Sequence, residues 1–467
     1  MSLSQFDSVH VPQFDGVHVP IEPWDVDDIE DNLLPRDTLH QRMEVQEVVP
    51  QPAPASTTDM EGDNVLRDEG NFIQNVSQFY NQEALSDILL VVGEQKYYGH
   101  KFVLAKSSEV FRTMLYDQRY IQAGLPEVEL SESLECQQYF DRFLRFLYTA
   151  EININIDSAV GILCLADKYN VSSLKSLCTK YMVINTRSPK VKNALQWYSW
   201  AKALNLEDLI DQCSKTIAWN TDLILGMPEW FDMEFDFVSD LLCNSQLVVQ
   251  EEYSLFKALM SWLLHDQRQE QLVENSKRLL PMIRYSQMLV KQLYDIETTA
   301  REEEYALCRE VLLDLVSKAY RFRSLCPSQS DFEVSFNDTC YLPRNYITLT
   351  VDTVRMQNTL RFGIQVDVKT YVGPVPSEKR EGEWKITYRK NQELWTLQIY
   401  CHESAMINGE AQIQASVVIY NEQDHVIHVD AAPSHVCTRA NNLSMNFQVP
   451  KPEEAKTMAV LIKPIPK

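Results

Sequence analysis

Apolar positions change their spacing three times along this chain. From Asn71 to Tyr80, NFIQNVSQFY, the residues Phe72, Ile73, Val76 and Phe79 fall on one helical face. Ile88 to Val92 is then a five-residue apolar run, too short to cross a membrane. Gly93-Glu94-Gln95 signals a turn, and Lys96 to Val103 reads as the returning strand of a hairpin. Leu104 to Met114 takes helical spacing again, and LPEVEL at 125–130 predicts a third short strand. An amphipathic helix over 136–152 and a helical pair, SAVGILCLADKYN and VSSLKSLCTKYMV, complete this first unit. Its strands come early and its helices late, which predicts an α+β unit with helices around a small sheet.

From 186 to 325 the pattern is almost wholly helical, with a break expected near Asn205. From 327 onward the period drops to two. Trp384, Ile386 and Tyr388 share one strand face, then Trp395, Leu397 and Ile399 share the next, with KNQE between them. ASVVIYNEQDHVIHVD repeats the arrangement around NEQD, and RFGIQVDV alternates as well. Repeated alternating segments joined by polar turns predict an antiparallel β-sandwich.

Residues 1–70 fit none of these patterns. They hold 16 acidic residues against three Arg and no Lys, and include the Pro-rich VVPQPAPAS. Such a stretch buries too little apolar surface to offset ordering entropy, so a disordered acidic tail is expected. It contains a direct repeat, QFDSVHVP then QFDGVHVP, which reads as a duplicated docking peptide or a drifted tandem copy.

The net charge of −23, with no basic stripe, argues against sequence-independent nucleic-acid binding. The ten Cys form no C-x-x-C pair, and reduced thiols in an intracellular protein, cytoplasmic or alternatively nuclear, are expected. The N-terminus lacks the charge and apolar core of a signal peptide. No phosphate-loop, zinc-protease, nucleophile-elbow or dinucleotide motif occurs, so no enzyme, cofactor or metal is expected. His425, His428 and Asp430 offer at most two groups on one strand face, too few for zinc. Cys401 and His402 alternate faces and fail as a nucleophile–base pair. Asp87, His100 and Lys101 are three chemically active residues beside apolar strands. Asp87 starts one strand and Lys101 ends its partner, so the expected arrangement is a compensated ion pair at a sheet edge.

Specific residues carry a resemblance. DILLVV, YGHKFVLAKSSEVFRTM, FLRFLYTA and LADKYNVSSLK together resemble a BTB (POZ) domain, assigned to 71–185. Leu242, Leu247, Glu252, Phe256 and Trp262, with RLLPMIRYSQM, resemble the BACK domain that follows BTB in many adaptors, assigned to 186–325. Residues 327–467 are similar to a TRAF-like (MATH-like) sandwich. The resemblance implies a non-catalytic adaptor: a homodimer through Phe72, Ile73, Val76 and Phe79, and a charged pocket at Asp87 and Lys101. It also implies a cullin-binding surface including Tyr116, Asp117 and Tyr148, and a protein client delivered for ubiquitination. The hydrophobic-x-Glu motif of MATH-type BTB adaptors is replaced here by Arg119-Tyr120-Ile121. A scaffold without a ligase link, cytoplasmic or secreted like some relatives, is the alternative. If Trp395, Leu397 and Ile399 point inward, Thr396, Gln398 and Tyr400 form an outward strip suited to a client peptide.

Overall fold

A computed structural model describes residues 68–119, 124–186, 191–327, 336, 338–347, 354–356 and 364–465. The acidic tail and its QFD-x-VHVP repeat lie outside the described residues, apart from Asp68, Glu69 and Gly70.

The first unit opens with α1 (Glu69–Ser77), which packs along α4 (Leu134–Thr149). Between them come β1 (Ile88–Val92), β2 (Gln95–Gly99), α2 (Lys101–Ser107), α3 (Glu109–Tyr116) and β3 (Glu127–Leu130). β1 is central, antiparallel to β2 and parallel to β3. The β1–β2 turn needs Gly93, whose φ is +58°; a Cβ there would also lie 2.4 Å from the Gln137 amide oxygen. The returning strand is shorter than its apolar pattern suggested. It ends at Gly99, and Lys101 already belongs to α2. The single helix expected over 104–114 is two helices. Ser108 breaks them, because its side chain caps α3 by accepting from the Phe111 amide. α5 (Ile156–Lys168) and α6 (Ser172–Asn185) follow, and α5 begins at a reciprocal cap between Asn155 and Ser158.

The middle is helical: α7 (Val191–Ala203), α8 (Glu207–Trp219), α9 (Thr221–Leu225), α10 (Phe235–Cys243), the two-residue β4 (Val248–Val249), α11 (Glu252–Leu263), α12 (Leu272–Leu279), α13 (Val290–Thr299) and α14 (Arg309–Leu325). The break between α7 and α8 falls at Asn205, which takes φ +52°. One continuous apolar core runs from Ile88 in the first unit to Ala319 in α14.

The C-terminal strands are β5 (Asn345–Tyr346), β6 (Val354–Arg355), β7 (Ile364–Tyr371), β8 (Glu381–Asn391), β9 (Leu394–Cys401), β10 (Ala411–Tyr420), β11 (Val426–Ala431), β12 (His435–Cys437), β13 (Leu443–Gln448) and β14 (Thr457–Pro464). One antiparallel sheet has the order β13-β9-β8-β7. The other runs β11-β10-β14-β6, with β12 also on β10. The sheets face one another across a core that includes Trp384, Ile386, Tyr388, Trp395, Leu397, Ile399, Val417 and Val460. This is the sandwich-like pairing the alternation predicted.

The sandwich is seated directly on the helical middle. Val418 and Leu461, on the outer face of the β10–β14 sheet, pack with Val426 of β11 against Trp219 of α8 and Val248 of β4. The buried Asn220 side chain joins in as a two-point clasp: its oxygen accepts from the Val426 amide at 2.9 Å and its nitrogen donates to the Val426 carbonyl at 3.0 Å. β5 pairs in parallel with β4, so the chain entering the sandwich is stitched to the helices by backbone hydrogen bonds. Glu252 completes the stitch. Its carboxylate accepts from Arg344 Nε at 3.1 and 3.2 Å, from the Arg284 amide at 2.8 Å and from the Tyr346 hydroxyl at 3.0 Å. The Arg344 and Glu252 side chains are 1% and 0% exposed, so the two form a buried, mutually compensating pair.

Candidate functional site: the exposed faces of the first unit and the sandwich

α1 contributes no fully buried residue. Val76 leans on the core beneath it, whereas Phe72 and Ile73 are 65% and 41% exposed. Phe79 lies just beyond the helix, also exposed, and meets the His100 ring edge-on at 5.7 Å. Sequence reasoning missed two further exposed apolar side chains of this unit. Leu85 and Phe102 are 80% and 73% exposed. Phe102 stood in a stretch read as strand, where one face would have been covered. At the second position of α2 its side chain is left outside.

Asp87, His100 and Lys101 do come together, but through different atoms than expected. Asp87 Oδ1 accepts the backbone N–H of Lys101 at 2.7 Å. That donor is at the first turn of α2, where amides have no partner within the helix and a carboxylate is favoured by the dipole. No ion pair between the Asp87 carboxylate and the Lys101 ammonium occurs among the described residues, because Lys101 has left the strand edge and begun a helix. The compensated pair is therefore corrected to a carboxylate capping a helix from a distance. His100 is held on both sides. Its Nε2 faces the Ala84 carbonyl at 3.0 Å and its Nδ1 faces the Tyr148 hydroxyl at 3.0 Å. A neutral ring protonated at Nε2 donates to the carbonyl and accepts from the tyrosine, satisfying both contacts. The Tyr148 hydroxyl also accepts the His100 amide at 3.1 Å. This network consumes the polar atoms of the imidazole in structure.

The cullin-facing set divides. Tyr116, at the end of α3, is 54% exposed. Asp117 caps that helix, and hydrogen bonds from Arg119 pull its carboxyl down to about 2. Tyr148 is only 3% exposed, and burial pushes its phenol up to about 12. It is thereby corrected from a surface contact to a core residue that orients His100. In Arg119-Tyr120-Ile121, Tyr120 and Ile121 lie outside the described residues.

The strip on β9 faces as the alternation required. Trp395, Leu397 and Ile399 are buried, while Thr396, Gln398 and Tyr400 face outward. Tyr400 donates its hydroxyl to Gln398 Oε1 at 2.7 Å. Across the sheet, Thr396 registers with Arg389, Gln398 with Thr387, and Tyr400 with Lys385 on β8. Ser444 and Asn446 of β13 lie opposite Gln398 and Thr396 on the other side. The result is an open face of hydrogen-bonding side chains, with β13 at one edge of the sheet among the described residues.

Comparison with known proteins matches the first unit and part of the helical middle. The BTB/POZ domain family matches residues 76–186, and the family described as BTB And C-terminal Kelch matches residues 194–297. BTB/POZ domain-containing protein 17 of Mus musculus is 31% identical over 281 residues, covering 59% of this chain and 56% of that protein. Galectin-3-binding protein of Mesocricetus auratus is 23% identical over 340 residues, 71% of this chain and 57% of that protein. Kelch-like protein 24 of Rattus norvegicus is 25% identical over 197 residues, 41% and 31% of the two. The chain spans about half the length of the BTB/POZ domain-containing protein 17 relatives it matches. None of the helices among the described residues is long and apolar enough to cross a membrane. The first unit is thus a BTB/POZ domain, the helical middle carries a BACK domain of the kind found in protein-interaction adaptors, and an antiparallel sandwich-like pair of sheets follows them.

Proposed function

We propose that this protein is a non-catalytic adaptor that pairs with a second copy, holds a cullin on its BTB domain and presents a protein client on its C-terminal sheets for ubiquitination. The division 71–185, 186–325 and 327–467, with a TRAF-like third domain and an acidic tail over 1–70, belongs to this reading, as does a cytoplasmic location. The observation that carries it is the apolar surface of Phe72, Ile73 and Phe79, exposed on a domain that is otherwise well filled. An isologous pairing of two such faces would cover it. Tyr116 and Asp117 stand on a different element and stay free for the cullin. The Thr396, Gln398 and Tyr400 strip serves the client, because its side chains offer hydrogen bonds and one aromatic anchor on a flat face. The Asp87–Lys101 corner contributes by fixing α2 beside the pairing surface.

The second reading, a scaffold with no ligase link, draws on the absent hydrophobic-x-Glu pattern and on a relative named for binding galectin-3. One experiment separates them. Proximity labelling in cells compares the wild type with the Gln398→Ala/Tyr400→Ala variant. The adaptor reading expects a cullin with both forms and the loss of a subset of other partners with the variant. Consistent absence of any cullin leaves the scaffold. An unchanged partner set moves the client surface elsewhere.

A further inference from the structure

Among the described residues four charged residues are buried as whole residues, and all four gather where the helical middle meets the sandwich: Glu252, Arg284, Arg344 and Lys463. Three are cations and one is an anion. Glu252 is fully occupied by Arg344, the Arg284 amide and Tyr346. Arg284 spends its guanidinium on the Leu342 carbonyl at 2.9 Å and the Ser245 hydroxyl at 2.6 Å, and its side chain makes no ion pair with a carboxylate among the described residues. Lys463 has no hydrogen-bond or ion partner among the described residues, although it is only 8% exposed. It sits on β14 in the phase of Ala459 and Leu461, opposite to the inward Met458, Val460 and Ile462, and so faces the helices.

Lys463 lines a cavity of about 100 Å³ at this seam. Leu289, Pro343, Val368 and Leu461 supply apolar wall, and Glu251 lies at the cavity with one carboxylate oxygen taking the Gln292 amide at 2.6 Å. An ammonium held on a mostly buried residue near a second cation, with no direct counter-ion among the described residues, is costly unless an anion joins it. Burial, with Arg284 adding to it, lowers the Lys463 ammonium to about 8.

We propose that this cavity is a binding site for a small apolar carboxylate, whose charged end pairs with Lys463 and whose hydrocarbon body fills the space between Leu289, Val368 and Leu461. The size limits the guest to a body on the order of six carbons, since a comparable apolar cavity holds a benzene-sized molecule. The apolar wall disfavours a bare inorganic anion, which would lose its hydration for one contact. The site lies between the BACK helices and the sandwich, so its occupant binds both and strengthens their seating. This does not depend on the adaptor reading.

Hexanoate, hexanol and inorganic phosphate are the probes, titrated against the full chain by calorimetry and by thermal shift. Hexanoate should bind at least about tenfold more tightly than either of the others and raise the melting temperature with concentration. Lys463→Met should lose about tenfold in hexanoate affinity, and Lys463→Arg should retain it. If Lys463→Met does not fold, Leu289→Trp, which fills the cavity from a half-exposed position, must abolish binding instead. Equal binding of hexanol, equal binding of phosphate, no binding of hexanoate, or Lys463→Met or Leu289→Trp binding hexanoate like the wild type would overturn the assignment.

Discussion

At the scale of single residues, alternation is a reliable guide to which way a side chain faces and a poor guide to which of its atoms is used. The orientation of Trp395, Leu397 and Ile399 was legible because a sandwich core accepts only one face of each strand. The role of Lys101 was not, because its backbone amide rather than its ammonium meets Asp87. Asp87→Ala should therefore cost about 1–2 kcal/mol, the scale of a lost helix cap. Exchanging the charges of positions 87 and 101 should recover none of it; urea denaturation of the three forms measures this. Asp222 carries a second expectation. Burial is the main cause that pushes its carboxyl up to about 6, a backbone hydrogen bond opposing it. A group raised in the folded state contributes its stability below its unfolded value near 4 and loses it as pH rises through 6. Asp222→Asn should flatten that part of the stability–pH curve and gain up to about 3 kcal/mol at pH 7. Chemical denaturation from pH 4 to 8 reads both effects.

At the scale of elements, the sequence exposed helix and strand types well and missed how elements are covered. Ser108 splits α2 from α3 through a cap that no hydrophobic period reveals. β10 and β14 are buried on both faces, with uninterrupted buried runs through Ser416 to Ile419 and Met458 to Lys463. Their signal was present in the sequence as the continuous stretches VVIY and MAVLI, which a half-exposed strand rarely carries. The BACK position Glu252 was visible as a pattern residue, yet its purpose needed the fold. It binds Arg344, 92 residues away, at the entry to the sandwich. Glu252→Ala leaves Arg344 buried and uncompensated, a loss of about 3–5 kcal/mol. In calorimetry the variant should release the sandwich from the helices and show two transitions where the wild type shows one.

At the scale of the whole molecule, the order of three structural units was readable from changes of period, but their rigid seating was not. The Asn220 clasp and the β4–β5 pair join residues far apart in sequence, and no local pattern announces such contacts. The consequence for function is geometric. If α1 pairs two copies and the sheets carry clients, the stitched seam fixes the position of each client face relative to the pairing surface. The pairing itself is the step on which the account depends. Light scattering of the full chain at micromolar concentration tests it most directly, with Phe72→Asp/Ile73→Asp as the partner variant, because both side chains point away from the core and their loss leaves the fold intact. The account predicts the mass of two chains for the wild type and of one for the variant. A single-chain mass for the wild type would contradict it.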